Sequence, residues 1–524
     1  MPNTLADWLT YLESLHPKTI ALGLERVAQV KQRLNLQPDF PVIVVGGTNG
    51  KGSVCAMLEG MLHAAGYRVG CYTSPHLLDY NERVRIGKKQ ASDAELCASF
   101  EKIEQARKGL LPRPCRGITS DLAGVVCQPS RMASGSIRAG EGVEAQISHQ
   151  VYPHPSLPPA RGKELSAESV EVPLTYFEFG TLAAMQCFIE HKVDVAILEV
   201  GLGGRLDAVN VFDSNCAVVT SVDIDHIDYL GDTREVIAYE KAGIFRSGKV
   251  AIFGDQDMPA VITTEAQRIG AQLWRLGEQF WHIANLLPSP AGGGGAGGEG
   301  SGNAARTISI AQPLTPPLSR LRERELNQWN YHGPGGTRAA LPYPALRGAY
   351  QLNNASAALA ALDALKDKLP VSMEAVRRGL VEVVLPGRFQ VVPGRPMLIL
   401  DVAHNPHAAA SLARNLAGMP PCPKTFAVFA MLKDKDMAGV VRALKGQVDV
   451  WLVAGIDAAR GATSAELAQV LGEEGVKGEV RTVATVSDAL QHACNEASEN
   501  DRIAAFGSFY TVAEVMRARG LRSI

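Results

Sequence analysis

The sequence predicts an α/β protein: a large domain on a doubly wound, mostly parallel sheet, followed by a smaller Rossmann-like α/β domain. Three observations carry this. Runs such as FPVIVVGGT (40–48) are apolar without polar alternation, the pattern of strands covered on both faces. These runs alternate with helical patterns, which implies parallel strands joined by crossover helices. GGTNGKGS (46–53) follows a buried run and opens a helical pattern, the setting of a phosphate-gripping loop.

In chain order, FPVIVVGGT is the first strand, SVCAMLEGMLHAAG (53–66) a helix, and YRVGCYTS (67–74) the next strand. DVAILEVG (194–201), NCAVVTSV (215–222) and KVAIFGD (249–255) continue the sheet. A second series starts after LPGRFQ (385–390), with PMLILDVAHN, TFAVFAML, VDVWLVAG and RIAAFGSFY as its strand-like runs. Pro386-Gly387 is turn chemistry, so the expected domains are 1–385 and 386–524. Residues 110–171 and 286–326 break the pattern. They are rich in Pro, Ser, Arg and Gly, a composition that buries too little apolar area to offset chain ordering. Both are expected as flexible insertions in surface loops, with a regulatory or partner-binding loop as the alternative.

The chain has 524 residues, 46% hydrophobic and 20% charged, with a formal net charge of −2. That balance argues against a dedicated nucleic-acid surface. No apolar run is long enough to span a bilayer. The opening MPNTLADWLTYLESLHP is polar and amphipathic, without a secretory apolar core. Nine cysteines are scattered with no CxxC pair, which suggests reduced thiols in a cytoplasmic protein.

The GGTNGKGS loop departs from the usual G-x-x-x-x-G-K-[ST]. Val45 stands at the first Gly, and Gly52 separates Lys51 from Ser53. The physics is retained all the same. Glycines let backbone N–H groups crowd a phosphate, and the helix N-terminus adds partial positive charge. Lys51 can reach terminal phosphates, and Ser53 can coordinate a cation.

Other positions carry chemistry or a plainer role. Ser74, before Pro75 at a strand end, projects a hydroxyl into the ligand crevice or caps a turn. Arg83 and Arg85 read as solvated cations. Glu199 lies in an apolar run, where a carboxylate is costly unless paired or metal-bound. Asp223, Asp225 and His226 follow the 215–222 strand, and His226 alone reads equally as a core histidine. Glu199, His226 and Ser74 could converge on one divalent ion. Oxygen-rich ligation suits Mg²⁺, with Mn²⁺ as the alternative. Lys241, in an apolar helix end, is a site for modification if its pKa is depressed, or an ordinary salt-bridged lysine. Asn353 and Asn354 open a helix, where capping explains one of them. Arg388, Asp401 and His404 lie at the junction and at a strand end of the second domain. Facing the other domain's loop, they would make closure part of the site.

Taken together, the motifs resemble the bifunctional dihydrofolate synthase/folylpolyglutamate synthase family, of the Mur ligase superfamily. GTNGKGS (47–53), TSPHLL (73–78), TYFEFGTLAA (175–184), LEVGLGGRLDA (198–208), DHIDYLG (225–231), EKAGIF (240–245), PGRF (386–389) and DVAHNP (401–406) occur in the family's order. The resemblance implies a Mur-ligase-like ATPase domain and a glutamate-ligase domain. It implies that Lys51 and the backbone of Thr48, Asn49, Gly50, Gly52 and Ser53 hold the ATP phosphates. Ser53 would help place one Mg²⁺; Ser74, Glu199 and His226 would hold a second. Lys241 matches a lysine carbamylated in the superfamily. Asn354, Arg388 and Asp401, with His404 close by, match nucleotide-contacting positions, and Thr175 and Phe177 lie where the family grips the pteridine. The implied reaction adds L-glutamate to dihydropteroate and to folates through an acyl phosphate, in a cytoplasmic monomer. A ligase with one of these activities, another Mur-type amino-acid ligase, and a nucleotide-binding protein without catalysis are the alternatives.

Overall fold

The structure is a computed structural model and describes residues 2–16, 21–110, 171–285, 328–348 and 350–522. Nearly all of the two expected insertions, 110–171 and 286–326, lies outside the described residues.

The larger lobe is built on eight strands: β1 (Val42–Gly46), β2 (Val69–Tyr72), β3 (Val84–Ile86), β4 (Lys89–Gln90), β5 (Val195–Glu199), β6 (Cys216–Val219), β7 (Val250–Phe253) and β8 (Gln272–Arg275). Their order is β4-β3-β2-β5-β1-β6-β7-β8. All neighbours run parallel except the β2–β3 and β3–β4 pairs. Alternate residues of β1 enter different cores: Val42 and Val44 one, Ile43 and Val45 the other. That is why the run reads as continuous Val/Ile: both faces are covered.

Three further strands form a separate antiparallel sheet in the order β11-β10-β9: β9 (Trp281–Asn285), β10 (Gln328–Gly333) and β11 (Gly336–Pro342). The sequence reading did not anticipate it. It closes one core with Trp329, Tyr331 and Leu341, all buried.

The smaller lobe holds β12 (Gln390–Val392), β13 (Met397–Leu400), β14 (Thr425–Phe429), β15 (Val450–Ala454), β16 (Glu479–Val483) and β17 (Arg502–Phe506). Their order is β12-β13-β17-β14-β15-β16. Only the β12–β13 pair is antiparallel. Its sheet too has an apolar core on each face. Leu77, from the larger lobe's loop after β2, is buried in one of them beside Val402 and Val512.

In open α/β sheets, ligands collect outside the carboxyl ends of the strands. Here the ends of β1, β2, β5 and β6 in one lobe meet those of β13, β14 and β17 in the other.

Candidate active site

The loop after β1 turns on two glycines. Gly47 has φ 137°, and a β-carbon there would lie 1.9 Å from Oγ1 of Thr220. Gly50 has φ 90° and caps the helix Lys51–Ala64 without any side-chain cap bond. The first amides of that helix are therefore left for a ligand. The loop after β6 braces the turn: Thr48 N donates to Ser221 O at 2.9 Å, and Thr220 Oγ1 donates to Asn49 O at 2.6 Å. Thr48 Oγ1 donates to Asp223 O at 3.0 Å. Lys51 curls back, its Nζ 3.0 Å from Gly47 O and 3.2 Å from Thr48 O. Burial lowers its pKa, against the pull of Glu199 and then Asp225. Ser53 is buried and accepts from Gln351 Nε2 at 3.4 Å.

Two hollows open between the lobes. The smaller, of about 100 Å³, is lined by Asn49, Gly50, Ser53, Asn354, Arg388 and Asp401, among others. Asp401 accepts the amides of Phe389 and Ala403 at 2.9 and 2.8 Å, and burial lifts its carboxyl to about 6. Arg388 lies over the ring of Phe509 at 5.4 Å. It lines the second hollow as well.

The second hollow, of about 710 Å³, gathers Thr48, Lys51, Gly52, Ser74, Glu199, His226, Lys241 and His404. Glu199 ends β5, is buried, and accepts the amide of Ser74 at 3.1 Å. A β-carbon built on Gly52 would lie 3.9 Å from its Oε1, so the carboxylate adjoins the loop. Burial raises its pKa, and Lys51 only partly offsets this. Burial also brings His226 and His404 down to about 4. His404 Nδ1 stands 2.7 Å from Val402 O and donates to it, which leaves Nε2 with its lone pair. Lys241 is buried, with its pKa lowered to about 7 chiefly by desolvation and then by the charge of Lys51.

Among the described residues, no three His, Cys, Asp or Glu side chains close on one ion. Glu199 nevertheless fits a divalent cation. It is a buried carboxylate short of positive charge, beside the hydroxyl-bearing Ser74 and the loop that holds Ser53. The other ligands of such an ion would be hydroxyls, phosphate oxygens and water. His226 lines the same hollow but is engaged elsewhere: its Nε2 lies 3.3 Å from Lys435 Nζ.

Thr175 and Phe177 line neither hollow. The Thr175 hydroxyl is taken up as a helix cap, accepting from Glu178 N at 3.2 Å. Phe177 backs the wall at Gly201, where a β-carbon would lie 2.6 Å from its ring. Arg85 is not solvated: it is largely buried and pairs with Glu59 at 2.9 Å, while also donating to Thr73 Oγ1 at 3.1 Å. Arg83 donates to His76 Nδ1 at 2.8 Å.

Sequence reasoning missed the bridges between the lobes. Asn405 Nδ2 lies 3.3 Å from Asn49 Oδ1 and 3.2 Å from Asp225 Oδ2. Asn49 Nδ2 lies 3.1 Å from His407 Nδ1. Lys435 Nζ stands 2.8 Å from Asp225 Oδ1. Asn405 announced itself only as a helix cap before Pro406, and Lys435 sits in LKDKD, which reads as a charged surface turn.

The model of the Mur ligase middle domain matches residues 167–284, and that of the Mur ligase glutamate ligase domain matches 387–509. The dihydrofolate synthase/folylpolyglutamate synthase of Escherichia coli K12 is 38% identical over 513 residues, covering 98% of this chain and 94% of the relative. The structure of E. coli FolC in complex with DHPP and ADP is similar with TM-score 0.74 at 37% identity, covering 99% of this chain and 98% of that one. A bifunctional folylpolyglutamate synthase/dihydrofolate synthase with Mn, AMPPNP and L-glutamate bound gives TM-score 0.73 at 39% identity, with 99% and 98% covered. Two lobes closing on a glycine-rich loop, with both domain models in order, define a ligase of the Mur type. Within that class the chain belongs to the dihydrofolate synthase/folylpolyglutamate synthase family.

Proposed function

We propose that this chain joins L-glutamate to the carboxyl group of dihydropteroate, giving dihydrofolate, and to folates, giving polyglutamates, at the expense of ATP. One observation carries the reading: open loop amides, Lys51, Glu199, Lys241 and the second lobe's Arg388 all face one cleft.

The substrate carboxylate attacks the γ-phosphorus of ATP and ADP leaves. The amino nitrogen of glutamate then attacks the acyl carbon, phosphate leaves, and the nitrogen loses a proton. Lys51 and the backbone of Thr48, Asn49, Gly50, Gly52 and Ser53 hold the phosphates. Asn354, Arg388 and Asp401, with His404 beside them, hold the rest of the nucleotide. Positive groups fixed in a cleft of low polarity stabilise phosphoryl charge without reorganising. Ser53, Ser74, Glu199 and His226 would hold divalent cations, Mg²⁺ at two sites with Mn²⁺ as a substitute. Such an ion neutralises phosphoryl oxygens. Lys241, its pKa lowered to about 7 so that a sizeable share of the amine is uncharged near neutral pH, would add to CO₂, losing a proton and gaining a carboxylate that supports the cation site. Phe177, behind Gly201, and Thr175, through the helix it caps, shape the pteridine end. The chain works as a monomer in the cytoplasm, on small molecules, without nucleic acid or membrane. No helix among the described residues is long and apolar enough to cross a membrane.

Phosphate release with MgATP tests this. Release is expected only when L-glutamate and either dihydropteroate or a tetrahydrofolate are present. Release with the tetrahydrofolate alone would reduce the reading to a folylpolyglutamate synthase. Silence with both would overturn it.

A further inference from the structure

Lys435 is the feature the reaction above leaves without a role. It belongs to the smaller lobe, after β14, yet its ammonium is buried against the larger lobe with 7% of the side chain exposed. Two groups receive it there: Asp225 Oδ1 at 2.8 Å and His226 Nε2 at 3.3 Å. A lysine ammonium has donors only. The contact therefore uses the Nε2 lone pair and places the imidazole hydrogen on Nδ1. A neutral imidazole has one lone pair. With Lys435 in place, neither ring nitrogen of His226 can bind a cation.

Asp225 holds the arrangement. Its carboxylate accepts from Lys435, from Asn405 Nδ2 at 3.2 Å and from the His226 amide at 2.8 Å. His226 has φ 54°, in the sparsely used left-handed region, and its amide N–H donates to Asp225 Oδ1.

We propose that Lys435 is a placeholder cation: it positions His226 as the Nδ1–H tautomer, with Nε2 turned into the cavity, and competes with a divalent ion for that nitrogen. This rests on the reading of His226 as a cation ligand. Binding of the ion at His226 and withdrawal of the second lobe's lysine from it are then one event, so the second lobe registers whether the ion has arrived.

Mn²⁺ titration of the full chain with AMPPNP, read by the paramagnetic resonance of free Mn²⁺, tests it. Lys435→Met keeps the stem and removes the charge. It should bind Mn²⁺ at least about fivefold more tightly, because the ion no longer has to displace an ammonium from the Nε2 lone pair of His226. Lys435→Arg should bind as wild type does. In a His226→Ala background, Lys435→Met should lose most of that gain. A purely structural lysine would weaken or leave unchanged Mn²⁺ binding when removed. Either result for Lys435→Met, in a variant that melts at the wild-type temperature, overturns the inference alone. If His226→Ala binds Mn²⁺ as well as wild type, the reading of His226 as a ligand fails, and the inference with it.

Discussion

Gly50 and Asn354 stand so close that a β-carbon on the glycine would lie 2.5 Å from the Asn354 side-chain oxygen. Gly50 also has φ 90°, which side chains rarely adopt. Gly50→Ala is therefore expected to displace the asparagine and reshape the first turn of the helix. A loss of about 1–3 kcal/mol in stability and a large rise in KM for ATP should follow, read by thermal melting and steady-state kinetics. A variant with unchanged KM would show that the loop does not hold the nucleotide.

Lys51 Nζ donates to carbonyls of its own loop and, among the described residues, forms no close ion pair, although its charge partly offsets the burial of Glu199. Lys51→Ala should melt within a few degrees of wild type and release no phosphate. If it fails to fold, the lysine is structural.

Lys241 has a sign that can be checked. Its pKa falls from 10.5 to about 7 on folding. The unfolded chain thus binds more protons between those values. The burden on stability is full below about pH 7, shrinks as pH rises, and is gone near 10.5. Lys241→Met carries no such burden. It should melt higher than wild type at pH 6, with the gap closing towards pH 10, and should turn over poorly throughout. If carbamylation serves the reaction, wild-type activity at pH 7 should fall in CO₂-depleted buffer. An equal gap in melting temperature at both pH values would contradict the buried, uncompensated amine.

Glu59 and Arg85 form a buried pair beside the Ser74 segment, through Thr73. Glu59→Gln leaves a guanidinium without its counter-charge and should destabilise by about 3–5 kcal/mol. Glu59→Gln combined with Arg85→Met should recover part of that, as chemical denaturation would show. Additive losses would mean that the two residues act independently.

Much of this was legible in the sequence because the information was local. A run buried on both faces needs no partner to be recognised, and the loop's glycines declare their backbone. Ser74, Glu199 and His226 each lie at or after the carboxyl end of a strand, and the parallel topology brings such ends to one edge; Lys241, at the C-terminal end of its helix, reaches the cleft by packing against the loop at Gly204. What escaped was non-local. β9 and β10 are separated by residues 286–327, and β9 leaves Trp281 and Ile283 exposed, so no core pattern marks it. Arg85 looked solvated because Glu59 lies on a different element. Lys435 and Asp225 are ion-paired across 210 positions of sequence, and nothing around either residue hints at the other.

Leu77 has a mechanical consequence. It comes three residues after Ser74, but its side chain lodges among the smaller lobe's apolar residues. Pulling such a side chain into water costs about 1.5–3 kcal/mol. The join between the lobes therefore carries a detent: parting them would unseat this leucine together with its neighbour Leu78, which packs against the same core, and the tether would drag Ser74 along. Opening far enough to discharge product would dismantle the reaction chamber in the same stroke, and reseating the leucine would rebuild it for the next round.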